Sequence, residues 1–452
     1  VQTVDGHDIG AVSDALAAAR QDPRPSLIAC RTTIGRGIPG VEGTRAAHSA
    51  PITPAQSRAA RAALDWPHAP FDIPEPIRRA WTEAGRRALG AYDAWHARVA
   101  ALPPERRALL DRLREGRLPA GWRDRLHALR RAALANPAPE FGIKLSADIV
   151  EQLADVIPEL VSGAPDLEAP TQHKRRLAPF TADNHAGRYV HYGIREHAMG
   201  AMLNGMAAHG GVLPVGATYL VFSDYLRPTL RMAAMMGLPV PFVFSHDSIG
   251  IGRNGPTHQP VEFLASLRCI PNLLVLRPAD AVEAAECWEI ALEHRTGPCA
   301  LIFARQQLPP VRSGGADENL SRRGAYILAE PDDPRRATLL ATGSEVSLAL
   351  AARDLLASAG IAVAVVSMPC WELFEQQPAS YRDTVLGAVP RVAVEAAVRQ
   401  GWDRYIGPDG RFVGMSGFGA SGPADELYRH FGITPERVAE EVCDLLAPGR
   451  AG

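Results

Sequence analysis

Between about residues 140 and 312 the chain alternates helical patterns with short apolar runs, among them Val240–Phe244, Leu273–Leu276 and Ala300–Phe303. Such alternation predicts a mostly parallel sheet with helices on both faces. A charged, glycine-containing stretch at Arg312–Arg323 marks a boundary, and the pattern then returns in Thr338–Ala341, Ala362–Val366 and Val392–Val394. The helix between the first two of these carries Leu348, Ala352, Leu355 and Leu356 on one face and ends at Gly360. The fold class read from the chain is therefore α/β, with tandem doubly wound, mostly parallel sheet domains.

Within the first of these domains, Tyr189–Tyr225 is the most informative stretch. An aromatic strand turns at Gly193 into a helix, on which Met199, Met202, Leu203 and Met206 recur at i, i+3, i+4 and i+7 before Gly210-Gly211 stops it. Glu196 falls in the first helical turn, where the helix dipole favours a carboxylate, and Arg195 beside it is a candidate ion-pair partner. Tyr219, Phe222 and Tyr225 follow at three-residue spacing, which on a helix would make one aromatic face. The residues alone leave two readings open. One is a capping acid with three core aromatics. The other is an acid and an aromatic wall arranged for a flat heterocycle.

The amino-terminal part contains Asp5-Gly6-His7-Asp8, a helix over Ile9–Arg20, a buried strand over Ser26–Arg31 and a glycine-rich loop with His48. Thr53-Pro54-Ala55-Gln56 is a capping-box helix start, and the Ala-, Arg- and Leu-rich sequence to about Pro139 reads as helical. Its acids interleave with its arginines, so it reads as a solvated helical surface. With 452 residues and a net charge of −2, the chain has room for several cores and no basic bias toward nucleic acid or an anionic membrane. No stretch reads as a transmembrane span. The six cysteines have no metal-type spacing and read as reduced, mostly buried thiols of a cytoplasmic protein.

Longer motifs carry a resemblance. Tyr189-Val190-His191-Tyr192-Gly193-Ile194-Arg195-Glu196, the Gly210–Pro214 turn and the aromatic trio resemble the pyrimidine-binding domain of the transketolases. His246-Asp247-Ser248-Ile249-Gly250 with Gly255-Pro256-Thr257-His258-Gln259-Pro260 is similar to a second signature of that family. The resemblance runs from the first residues to about Leu446. It implies a remnant of the diphosphate-binding domain at 1–52, a helical interdomain connection at 53–139, the pyrimidine-binding domain at 140–312 and the family's C-terminal α/β domain at 324–452.

What the resemblance implies chemically is the transfer of a two-carbon ketol unit from a ketose to an aldose, through a carbanion of thiamine diphosphate. Glu196 takes the position of the family acid that protonates the cofactor's aminopyrimidine. Tyr219, Phe222 and Tyr225 match the aromatic pocket, and Asp166 with Leu167 matches a pair lining the cofactor. His48, His246 and His258 stand at family histidine positions suited to proton handling and substrate contact. Arg305 matches an arginine that grips the sugar phosphate, and Arg253 and Asn254 lie on the substrate loop. The family works as a homodimer with shared active sites. Its Mg²⁺ and diphosphate ligands belong to a segment upstream of Val1, and the chain read here carries no metal ligands of its own. A chain beginning at Val1 is accordingly expected to be shortened and inactive unaided.

Three departures bear on substrate. Ile143 replaces an expected arginine, Pro170 replaces a serine, and Arg253-Asn254 replaces an acidic pair. Gly250–Gly255 also spells GxGxxG, but Pro256 follows at once and no acid stands at 270–277 to meet a ribose, which argues against a dinucleotide site. The alternatives are a ketol transferase of the dihydroxyacetone-synthase kind, or a non-catalytic subunit or scaffold.

Overall fold

The computed structural model describes residues 1–315 and 317–447, in two compact units divided after Pro103. In the first unit, parallel strands β1 (Gln2–Asp5) and β2 (Ile28–Arg31) flank the helix Ile9–Gln21. Asp8 caps that helix by accepting the Ala11 N–H. The strand expected over Ser26–Arg31 is shorter and mostly exposed, because a sheet of two strands leaves most side chains at its surface. Thr53 and Gln56 form a reciprocal capping box at the start of helix Pro54–Ala63, and helices Glu75–Arg86 and Leu89–Ala100 complete the unit.

The second unit opens with helices Pro104–Arg114 and Trp122–Ala135, then a short strand β3 (Glu140–Phe141). Six parallel strands follow: β4 (Leu160–Ala164), β5 (Tyr189–His191), β6 (Leu213–Tyr219), β7 (Pro241–Ser245), β8 (Leu274–Leu276) and β9 (Cys299–Phe303). Their order across the sheet is β5-β4-β6-β7-β9-β8. β10 (Gln307–Leu308) pairs antiparallel with β3. Successive residues of a strand point to opposite faces, and both faces here are buried. Phe242 and Phe244 pack with Met199, Leu203, Leu226 and Leu230, while Val243, Leu301 and Phe303 pack with Val150, Leu153 and Trp288. Helices Glu196–His209 and Ser223–Met236 thus cover one face, and Gly142–Val156 and Ala281–Glu293 the other.

A five-stranded sheet follows, built from β11 (Tyr326–Ala329), β12 (Ala337–Ala341), β13 (Val363–Ser367), β14 (Arg391–Val398) and β15 (Arg411–Met415) in the order β11-β13-β12-β14-β15. All its pairings are parallel except that of the edge strand β11. The helix Glu345–Ser358 ends before Gly360, whose φ of 73° suits the turn. Its buried face is Val346, Ala349, Ala352 and Leu356. Leu355 is exposed, so the expected face is rotated by one position. Half of the cysteines, Cys30, Cys269 and Cys443, are exposed rather than buried. Among the described residues no helix is long and apolar enough to cross a membrane.

The two sheets of this unit are tied by buried ion pairs. Arg277, just beyond β8, donates to Asp247 Oδ2 from Nε (3.0 Å) and Nη2 (2.6 Å), and from Nη1 to Glu345 Oε2 (2.6 Å) and the Thr342 carbonyl (2.7 Å). Glu395 lies 3.8 Å from Arg277 and accepts two hydrogen bonds from Arg268 (3.0 and 2.8 Å). Removing one member of such a cluster leaves uncompensated charge in a dry site. Arg277→Met is therefore expected to lower the unfolding free energy by about 3–5 kcal/mol, measured by urea denaturation; a change within error would show that the cluster contributes no net cohesion.

Candidate active site

The parallel sheet delivers its functional side chains to one edge. Past the carboxyl ends of the strands come Asp166 and Leu167 after β4, Glu196 after β5, Tyr219 closing β6, His246 after β7 and Arg305 after β9. The chain runs outward from β4 to β5 and in the other direction through β6 and β7. That reversal opens a crevice at the carboxyl edge, where ligands bind in open α/β sheets. A cavity of about 540 Å³ lies there, lined by Pro165, Asp166, Leu167, Ile194, Glu196, Phe222 and Tyr225.

Glu196 is the first residue of its helix and is only 8% exposed. No described residue donates a hydrogen bond to its carboxylate or pairs with it. The expected partner Arg195 turns away and donates to the Tyr192 carbonyl at 3.1 Å, because Gly193 (φ 68°) folds the chain back at this point. A buried carboxyl with free valence at a cavity wall is disposed to bond the nitrogen edge of a flat ligand.

The aromatic trio does not lie on one helical face. Tyr219 closes β6, Phe222 ends a 3₁₀ turn and Tyr225 sits in the first turn of helix Ser223–Met236. The change of direction still aligns the rings. Tyr219 and Phe222 stack with centroids 5.6 Å apart and planes within 2°, and Phe222 meets Tyr225 at 6.1 Å. His246 stacks on Tyr219 at 3.7 Å, and His258 meets the edge of Phe222 at 5.7 Å. One ring array thus joins the cavity to both histidines.

His246 has a left-handed φ of 63° and bonds Ser245 Oγ through Nδ1 (2.8 Å). Burial first, then the charges of Arg305 and His258, hold its pKa down to about 3, so the ring is neutral near neutrality. His258 Nδ1 lies 3.0 Å from Thr257 Oγ1. Arg305, Arg253 and Asn254 are exposed. The loop carrying Arg253 is clamped, since Gln259 Nε2 donates to the Gly252 and Ala420 carbonyls (3.1 and 2.8 Å) and Ser421 Oγ donates to the Arg253 carbonyl (2.9 Å). The GxGxxG segment forms a 3₁₀ turn over Ile249–Ile251 and another over Pro256–His258, and opens no helix of the dinucleotide kind.

Ile143 is buried at the start of its helix, so that position offers no donor to the cavity. Pro170 lies in the short turn Glu168–Thr171. His48 belongs to the first unit, exposed in the turn Ala46–Ser49. His7 is held there by a structural bond, its Nε2 accepting the Thr33 N–H at 2.6 Å. Pro165 and Ile194 line the cavity without having been singled out from the sequence, although each lies within two residues of a position that was. No group of three or more potential metal ligands occurs among the described residues.

Comparison with known proteins adds an independent line. Residues 1–119 match the transketolase thiamine diphosphate binding domain, 143–311 the transketolase pyrimidine binding domain, and 324–434 the transketolase-like C-terminal domain. The chain is 49% identical over 445 residues to a transketolase of Cereibacter sphaeroides, covering 97% of this chain and 66% of the relative. It is 44% identical over 456 residues to a transketolase of Rhodobacter capsulatus, covering 99% and 68%. The chain thus spans about two thirds of the length of the curated relatives it matches. A crystal structure of transketolase from Pichia stipitis in complex with sedoheptulose-7-phosphate superposes with a TM-score of 0.88 at 33% identity, over 98% of this chain and 67% of that one.

The depressed pKa of His246 has a stability consequence. An unfolded histidine titrates near 6.5, so below that pH the unfolded chain takes up a proton that the folded chain refuses. Stability contributed by His246 is whole above pH ~6.5 and declines as pH falls toward 3, by at most about 1.4 kcal/mol per pH unit. His246→Asn, which tolerates the same φ, is expected to flatten the stability–pH profile between pH ~6 and ~4 by that slope. Parallel profiles for the two proteins would mean that His246 takes up its proton in the folded state.

Proposed function

Since this chain belongs to the transketolase family, we propose that it is a thiamine-diphosphate-dependent transferase, moving a two-carbon ketol unit from a ketose phosphate to an aldose phosphate. The observation that carries the reading is Glu196, a buried carboxyl without a partner among the described residues, in the wall of a cavity faced by Phe222 and Tyr225. This donor set fits an aminopyrimidine ring, with Leu167, Phe222 and Tyr225 packing its faces and Glu196 bonding its ring nitrogen. When bound, thiamine diphosphate supplies the nucleophilic carbon that attacks the ketose carbonyl.

The remaining roles fall to side chains of the chain itself. Glu196 holds a proton at the pyrimidine nitrogen. His246, neutral at working pH, exchanges hydrogen bonds with substrate hydroxyls without adding charge, and His258 and His48 share that work. Asp166 borders the cofactor. Arg305 attracts the phosphate, and Arg253 replaces the contact missing at Ile143, with Asn254 beside it. Mg²⁺ accompanies the diphosphate. A second copy of the chain shares the active site and covers the exposed Ile194, Met202, Tyr225, Met232, Met235 and Met236. Because Ile143 is apolar and buried, a preference for shorter or unphosphorylated substrates, as in a dihydroxyacetone-synthase-like transferase, is the competing reading.

With the diphosphate-binding segment supplied, Glu196→Gln is expected to lower kcat for ketol transfer by about a hundredfold or more, with circular dichroism and thermal midpoint unchanged. Near-normal proton exchange at the cofactor's reactive carbon, followed by NMR, would remove Glu196 from the chemistry. Arg253→Ala, made with the same segment supplied, separates the two substrate readings. If Arg253 binds phosphate, kcat/KM for a phosphorylated ketose falls roughly ten- to a hundredfold while the unphosphorylated analogue is spared. Equal effects on both substrates would end that assignment.

A further inference from the structure

The segment that brings Asp166 and Leu167 to the main cavity runs on into a second, smaller one. Past the turn Glu168–Thr171, His173 and Arg175 line a cavity of about 190 Å³ together with Glu151, Asp155, Arg176 and Arg188. The backbone here is strained, with positive φ at Asp166 (61°), Gln172 (56°) and Arg175 (42°). Such values persist in non-glycine residues only where the surroundings enforce them.

His173, fully buried, is the pin. Trp288 Nε1 donates to Ser146 Oγ at 3.2 Å, and among the described residues the one acceptor in reach of the Ser146 hydroxyl proton is His173 Nε2 at 3.1 Å, so the hydroxyl donates there. A ring that accepts at Nε2 carries its one proton on Nδ1. Burial, reinforced by the charge of Arg175, holds the pKa of His173 down to about 3, so this tautomer stays neutral. Among the described residues the Nδ1–H has no acceptor, and neither has Arg175 Nε–H, although both are buried.

The rest of the lining is already engaged. Arg176 bonds Glu151 (2.6 Å) and Asp155 (3.2 Å), and Arg188 donates to the carbonyls of Ala154, Ile157 and Pro158. Arg175 Nη2 holds Asp148 at 2.6 Å, while its Nε is 4.0 Å from Glu151, too far for a hydrogen bond. Three guanidinium groups face two carboxylates, and the two unsatisfied buried side-chain atoms in the lining are both donors. A buried donor left unmade is costly, and the missing element is an acceptor.

We infer that this cavity binds a small oxyanion, either free phosphate or sulfate or the phosphate group of a small ester, which accepts from His173 Nδ1–H and Arg175 Nε–H. The site is separate from the ketol-transfer reading and stands without it. A cavity of about 190 Å³ admits a tetrahedral anion and a few waters.

The test titrates the whole chain with inorganic phosphate, sulfate and a sugar phosphate at constant ionic strength, with chloride as reference. Binding is read by calorimetry and by imidazole nitrogen NMR, the His173 signal being identified by its loss in His173→Asn. Saturable binding that shifts the His173 Nδ1–H signal is expected, weakened about tenfold in Arg175→Gln with the circular dichroism spectrum in chloride unchanged. Tighter binding of the sugar phosphate than of inorganic phosphate assigns the site to an ester, and the reverse assigns it to the free anion. Phosphate and sulfate acting no differently from chloride on that signal, or equal affinity in Arg175→Gln, would overturn the inference and leave the cavity to water.

Discussion

The second unit depends on one buried guanidinium. Arg277 stands where β8 leaves the six-stranded sheet and reaches the loop after β7 through Asp247, and the start of helix Glu345–Ser358 through Glu345 and Thr342. Desolvating so many charges is offset only when every partner is present in good geometry. Burial alone would raise the pKa of Glu395, yet Arg268 and Arg277 hold it below the usual carboxylate range. Asp247 is the residue next to His246. The ion cluster that joins the two sheets therefore also fixes the backbone from which a strained histidine stacks on Tyr219.

Around the cavity, groups that violate ordinary rules collect in one place. Glu196 is buried without a partner among the described residues, and a left-handed backbone is adopted by Asp166 in the cavity wall and by His246 against Tyr219. Elsewhere one buried side chain satisfies several backbone groups at once. Asp280 alone caps the helix Ala281–Glu293 and also accepts from the Val311 and Arg312 N–H groups. Such local exceptions are what a binding site requires, since valence left free by the protein is available to a ligand.

Much of this was legible beforehand. The apolar runs located all six expected strands of the two larger sheets to within a few residues, because a strand buried on both faces has to be apolar throughout. Glu196 at a helix start followed from Gly193 and the spacing of Met199, Leu203 and Met206. The errors were of a different kind. Local spacing placed Tyr219, Phe222 and Tyr225 on one helix, whereas a strand end, a 3₁₀ turn and a helix start share them. Proximity in sequence suggested Arg195 as the partner of Glu196, but the turn at Gly193 sends the guanidinium to Tyr192. Leu355 fitted an apolar stripe and yet faces outward, because neighbouring elements decide which part of a broad stripe is covered.

The sequence by itself determined the alternation of helices and strands, the two mostly parallel sheets and the family, since each is encoded in periodicity and in contiguous motifs. Tertiary structure decided what those residues face. Asp166, Glu196 and Phe222 line one cavity, and His246 stacks on Tyr219 beside it, only because β5, β4, β6 and β7 lie side by side with their carboxyl ends at one edge. The partners of Arg277, thirty residues away at Asp247 and sixty-eight at Glu345, carry no local signature at all. Strand order and long-range charge pairing arise from packing the whole chain, and no window of sequence contains them.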